Sequence, residues 1–141
     1  MTHHTLLALA PLLLLTGCGG DRPVAVTDAR VQLPVIAGRP GVAYFTVVGG
    51  GADTHLTGIS SPVIKRIELH DTMSGGGMMR MTPLAQVPVN RELRFARGGK
   101  HAMLFGIDPK LRAGDKVKLV LAFAPAGEVS AEAEVTKLGG G

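Results

Sequence analysis

The stretch Val117-Lys118-Leu119-Val120-Leu121-Ala122-Phe123-Ala124 sets Val117, Leu119, Leu121 and Phe123 at alternate positions. Side chains alternate between two faces along a strand but recur every three or four residues along a helix, so this stretch reads as a β-strand with one core face. Working outward, the same period of two and a wealth of β-branched residues predict strands over 24–33, 42–48, 56–59, 65–70, 78–84, 92–96, 101–105 and 129–136. Gly49 to Gly51, Ser74 to Gly77, Gly98 with Gly99, and Gly114 with Asp115 supply the turns between them. No helical period stands out. Many short strands at close spacing predict an all-β chain, folded as an antiparallel sandwich or a Greek-key barrel.

Composition bounds the function. The chain has 141 residues, of which 18% are charged and 45% apolar, a globular balance for one domain. The formal charge of +4 invites a nucleic-acid reading, but four Phe, one Tyr and no Trp leave almost no platform for stacking bases. No nucleic-acid partner is expected. Gly75 to Gly77 and Gly98-Gly99-Lys100 both lack the Gly-Lys-Ser/Thr of a phosphate loop, and there is no nucleophile elbow, carboxylate pair or zinc-protease motif. An enzyme is not supported.

Leu6 through Leu15 are Leu and Ala apart from Pro11. Ten helical residues span only about 15 Å, half the hydrocarbon thickness of a bilayer, so the segment reads as an export signal rather than a membrane span. Leu15-Thr16-Gly17-Cys18 resembles the lipobox of bacterial lipoproteins. That resemblance implies a signal peptide over 1–17, a lipidated Cys18 at the head of a tether over 18–23, and a folded domain over 24–138. The sulfur of the single cysteine is then consumed as a thioether, which removes thiol nucleophiles and the Cys ligand of a blue-copper site. Gly19 stands where Asp would retain a lipoprotein at the inner membrane, so periplasmic anchoring to the outer membrane is expected.

Four of the six methionines, Met73, Met78, Met79 and Met81, fall within nine residues around a Gly-rich turn. A lone Met fills gaps in a core as a rule, but a glycine turn offers little core to fill. His70 lies just before this cluster, and His101 with Met103 follows it. Alternation puts Arg66, Glu68 and His70 on the face of their strand away from Ile67 and Leu69, and puts His101 beside Met103. His55 reads as a structural or exposed histidine. Thioether sulfur is soft and neutral and suits Cu(I), and imidazole accepts copper as well. The set also survives an oxidising compartment, where thiolates would be lost to disulfides.

Glu68-Leu69-His70, Met79-Arg80-Met81-Thr82-Pro83, Gly98-Gly99-Lys100-His101-Ala102-Met103-Leu104 and Gly114-Asp115-Lys116-Val117 together resemble the periplasmic copper chaperones of the PCu(A)C type. The resemblance runs roughly from Val42 to Phe123. It implies an all-β, cupredoxin-like antiparallel Greek-key β-sandwich and one Cu(I) held by His70, Met81, His101 and Met103. It further implies a monomer that hands copper to the copper-bearing subunit of cytochrome c oxidase or to a thiol-containing copper assembly protein. Ten residues separate His70 from Met81 as in that family, but the family's second spacer of about twenty-one residues, counted back from His101, reaches Met79. Met79 is therefore the reserve ligand. Pro83, two residues after Met81, matches the family's Met-x-Pro, and the segment Ala85 to Asn90 reads as a connection able to shorten. Arg80, Arg91, Arg94, Arg97 and Lys100 surround the cluster with only Glu92 opposing them in sequence, as a docking field or as charges guarding a strand edge. The competing reading is a structural or adhesion-type β-sandwich lipoprotein whose methionines merely pack.

Substituting Cys18→Ser removes the acceptor of the acyl chains. Metabolic labelling with a radioactive fatty acid is expected to mark the wild-type chain and not the variant, and equal labelling of both would exclude the lipobox.

Overall fold

The computed structural model describes residues 22–138, and the export segment and Cys18 lie outside them. The described residues contain no helix. They form β1 (Arg22–Leu33), β2 (Gly41–Gly50), β3 (His55–Ser60), β4 (Ile64–Gly75), β5 (Met78–Leu84), β6 (Val87–Pro88), β7 (Arg91–Phe95), β8 (His101–Ile107), β9 (Lys116–Ala124) and β10 (Gly127–Lys137). The order across the sheet is β5-β4-β8-β2-β1-β10-β9-β3-β6, with β7 also paired to β2. The sheet folds over on itself as a β-sandwich, so that alternate residues of its strands share one core.

Val117, Leu119, Leu121 and Phe123 are all buried, as their alternation requires, and Ala43, Phe45 and Val47 of β2 follow the same rule. Phe45 and Phe95 stack across the β2–β7 pair with ring centroids 4.4 Å apart. Stacking of this kind adds to the apolar burial of two large rings. Thr27 and Arg30 of β1 bracket a shift of register, and Asp28 between them has φ of 54°. Asp tolerates this left-handed conformation better than most residues, which suits it to a bulge.

Three features depart from the sequence-based expectation. The antiparallel rule is broken once, because β1 and β10, the first and last strands, run parallel. A parallel pair needs a long crossover, and here the rest of the domain supplies it. The segment Ala85 to Asn90 is more than a connection: Val87 and Pro88 pair with β3, and Val87 and Val89 are buried in the core. Alternation over so short a run with Pro88 inside it gave no strand signal.

The third departure positions the candidate site. The two predicted strands around 92–96 and 101–105 both lie antiparallel to β2, with Phe95 opposite Phe45 and Ala102 opposite Ala43. β7 and β8 are thus two lengths of one line along β2, broken by the loop 96–100. That loop closes on itself through hydrogen bonds from Ala96 N to Lys100 O and from Gly99 N to Ala96 O. It also reaches across to β4, where Thr72 N donates to Gly99 O. Beyond that point β4 has only β5 beside it, and the β4–β5 hairpin projects alone from the sandwich.

Truncating Phe95→Ala removes the stacked ring and leaves a cavity beside Phe45. The variant is expected to lose about 3–5 kcal/mol of unfolding free energy, read as a shift of the denaturant midpoint without a change of slope.

Candidate metal centre

The site grows from the register of three neighbouring strands. Across the β4–β8 pair His70 lies opposite His101, Glu68 opposite Met103 and Arg66 opposite Phe105. Across the β4–β5 pair His70 lies opposite Pro83, Thr72 opposite Met81 and Ser74 opposite Met79. Directly opposed residues point to the same face, so His70, His101, Met103, Met81 and Met79 all share the outer face of β5-β4-β8. Leu69, Ala102 and Leu104 occupy the inner face and are buried.

The four methionines of the cluster are sorted by the same register. Gly76 and Gly77, with φ of 61° and 78°, form a two-residue turn between Gly75 and Met78. Positive φ at both central residues matches the twist of a tight hairpin and is a conformation glycine adopts without strain. The turn thereby sends Met79 and Met81 to the histidine face, and Met73 and Met78 to the reverse face.

The imidazoles of His70 and His101 have ring centroids 5.8 Å apart. Sequence alternation places His70 away from the core, and it does sit on the outer face. It is nevertheless only 9% exposed, and His101 only 6%. Two polar rings at this depth need partners. His101 Nδ1 lies 2.9 Å from Gly99 O, with Thr72 Oγ1 at 3.5 Å. A carbonyl can only accept, so Nδ1 carries the proton and Nε2 keeps its lone pair. His70 Nε2 lies 3.1 Å from Glu68 Oε2, and His70 Nδ1 is buried with no hydrogen-bond partner.

Met103 and Met81 are diagonal neighbours of His70 on its two sides, and Met103 is half-buried while Met81 is 59% exposed. Met79 stands two residues further out, about 7 Å along β5. The structure therefore gathers His70, His101 and Met103, sets Met81 next to them on the projecting hairpin, and leaves Met79 more distant. Among the described residues no group of three His, Cys, Asp or Glu is placed to hold a metal ion. A metal on this face needs the thioethers.

The cationic surround is less one-sided than the sequence suggests. Lys100 Nζ pairs with Asp71 Oδ2 at 3.1 Å and Arg94 with Glu92 at 3.3 Å. Arg66 is hydrogen-bonded to Glu68, a carboxylate whose place at the site the sequence reading left unused. Its signal was its position, two residues before His70 on the same strand face. His55, expected to be structural or exposed, is half-buried with Nδ1 2.8 Å from Asp53 O.

Comparison with known proteins gives these residues a context. Residues 24–135 match the family model described as "Putative lipoprotein LpqE-like". The chain belongs to the LpqE-like family. One relative is the "Putative lipoprotein Lxx21020" of Leifsonia xyli subsp. xyli (strain CTCB07), 30% identical over 129 residues that cover 82% of this chain and 78% of that one. Among solved structures, Cu(I)-bound DR1885 of Deinococcus radiodurans is 28% identical, covers 84% of this chain and 81% of that one, and superposes with a TM-score of 0.65. The copper-bound PCuAC domain of PmoF2 is 22% identical, covers 84% and 96%, and gives a TM-score of 0.64. This LpqE-like chain thus has the fold of PCuAC domains, the cupredoxin-like sandwich its motifs imply.

Exposure sets an order of reactivity within the methionines of this LpqE-like protein. Met73, Met78, Met79 and Met81 are 59 to 72% exposed. Brief treatment with dilute hydrogen peroxide is expected to convert these four to sulfoxides before Met103, as read by mass spectrometry of peptides. Early oxidation of Met103 would contradict its placement against the sheet.

Proposed function

We propose that this LpqE-like protein is a lipid-anchored copper chaperone of the cell envelope, without catalytic activity, that carries one Cu(I) on His70, His101, Met103 and Met81. The observation that supports this most directly is the unpartnered lone pair of His70 Nδ1, buried beside His101 with thioethers on both diagonals. A buried polar atom left without a partner is costly, and a ligand at that atom removes the cost. Imidazole and thioether together suit Cu(I).

The likeness to Cu(I)-bound DR1885 supports the same reading. Met103 and Met81 lie on opposite sides of His70, so the projecting hairpin closes over the histidine pair when both sulfurs bind one ion. Its freedom from β8 beyond Thr72 allows this closure. Neutral thioethers hold copper less firmly than thiolates, which suits transfer of the ion. The recipient in this proposal is the copper-bearing subunit of cytochrome c oxidase or a thiol-containing assembly protein. Acylated Cys18 and the tether that follows it hold the domain, whose first strand begins at Arg22, at a membrane facing the periplasm, and Gly19 is the residue that argues for the outer one.

The structural alternative, in which the methionines only pack, is disfavoured by four of them standing in solvent.

A titration of the purified chain with Cu(I) against a chromophoric competing chelator tests the proposal, with one equivalent expected to bind. Met81→Leu keeps the side-chain volume and removes the sulfur, and is expected to weaken binding tenfold or more, about 1.4 kcal/mol. Met79→Leu is expected to do much less. The reverse ranking would move the ligand to Met79, and no uptake by the wild type would return the protein to the structural class.

A further inference from the structure

We propose that Glu68 is a positioning residue that fixes which nitrogen of His70 faces the site. For its purpose this rests on the copper reading above, but the proton placement it asserts belongs to the metal-free protein.

Neutral imidazole carries one N–H and one lone pair, and its hydrogen-bond partners decide which nitrogen has which. An ionised carboxylate can only accept. With Glu68 Oε2 at 3.1 Å, His70 Nε2 is the donor, and the lone pair falls to Nδ1, the buried atom that has no partner. No acceptor lies within hydrogen-bond distance of His70 Nδ1 to draw the proton there, and the His101 ring uses its own N–H on Gly99 O.

Glu68 is itself held in place. Arg66 donates to Glu68 Oε1, and its guanidinium sits over the Phe105 ring, 4.2 Å from the centroid. Arg66, Glu68 and His70 stand at alternate positions of β4 and so line one face, opposite Phe105, Met103 and His101 of β8. A planar cation stacked on an aromatic face has its fork aimed before the carboxylate arrives. The result is a file of contacts from Phe105 through Arg66 and Glu68 to His70, each one set by strand register.

The two histidines are then not equivalent. His101 gives its Nδ1–H to the backbone and presents Nε2, whereas His70 gives its Nε2–H to a carboxylate and presents Nδ1. Histidines that bind metals almost always anchor the other ring nitrogen in this way, which orients the ring and raises its basicity. Glu68 acts through His70 and not as a ligand, since its carboxylate is spent on Arg66 and His70.

Long-range proton–nitrogen correlation spectra of the metal-free, nitrogen-15-labelled chain read the tautomers directly. Wild type is expected to show His70 protonated at Nε2 and bare at Nδ1, with His101 the reverse. In Glu68→Leu the preference of His70 is expected to be lost, and Cu(I) affinity to fall 10–100-fold. A proton on Nδ1 of His70 in the wild type would overturn the proposal, as would a Glu68→Leu chain that keeps both tautomer and affinity. If that variant does not fold, the wild-type spectrum decides alone. If the wild type takes up no Cu(I), the chaperone reading fails while the spectrum still decides the role of Glu68.

Discussion

The register of β4 between β5 and β8 is the constraint on which the histidine and methionine face depends. Strand side chains alternate strictly, so a slip of one residue would turn His70 inward and Leu69 out to solvent. The inner face prevents this, because Leu69, Ala102 and Leu104 find their place in the core only in the observed register. On the other edge the Gly76 and Gly77 turn fixes β5. The polar face therefore inherits its geometry from the apolar one beneath it, and no contact between His70 and His101 is needed to bring them together.

The depth of the pair has a second origin. An unbroken β7–β8 line would have left His70 and His101 on an open sheet surface. The loop 96–100 instead bulges over toward β4, and its Gly99 carbonyl both joins Thr72 and anchors His101. The same interruption frees the hairpin that carries Met79 and Met81. Burial of the nitrogen donors and exposure of the two hairpin sulfurs thus come from one break in one strand.

Much of this was legible in the sequence, and the pattern of what was not is physical. Alternation in Val117 to Ala124 and in Lys65 to His70 named the correct faces, because a period of two is a local property. The pairing of His70 with His101 was not local, and neither were the ion pair of Asp71 with Lys100 or the burial of Val87 and Val89, since each depends on which distant strands lie side by side. Glu68 was visible as a neighbour of His70 on one strand face, yet only the pairing of Arg66 with Phe105 shows why its carboxylate is held. The conflict between Met79 and Met81 was a matter of counting in the sequence. In the structure it becomes a matter of distance, with Met81 one diagonal from His70 and Met79 a further step along β5.

The parallel pairing of β1 with β10 ties Arg30 to Glu134 and Leu33 to Lys137, joining the two ends of the domain. Whether it leaves a ribosome or a translocation channel, the amino-terminal strand emerges first, and β1 can zip onto β2 as soon as both are free. Its other edge stays bare until the last strand arrives. An unpaired edge is a template for the wrong strand, whether from the same chain or from another copy. The order of emergence thus places the period of greatest risk before the last strand is free, and a chain stopped short of residue 127 would carry that open edge for as long as it lasted.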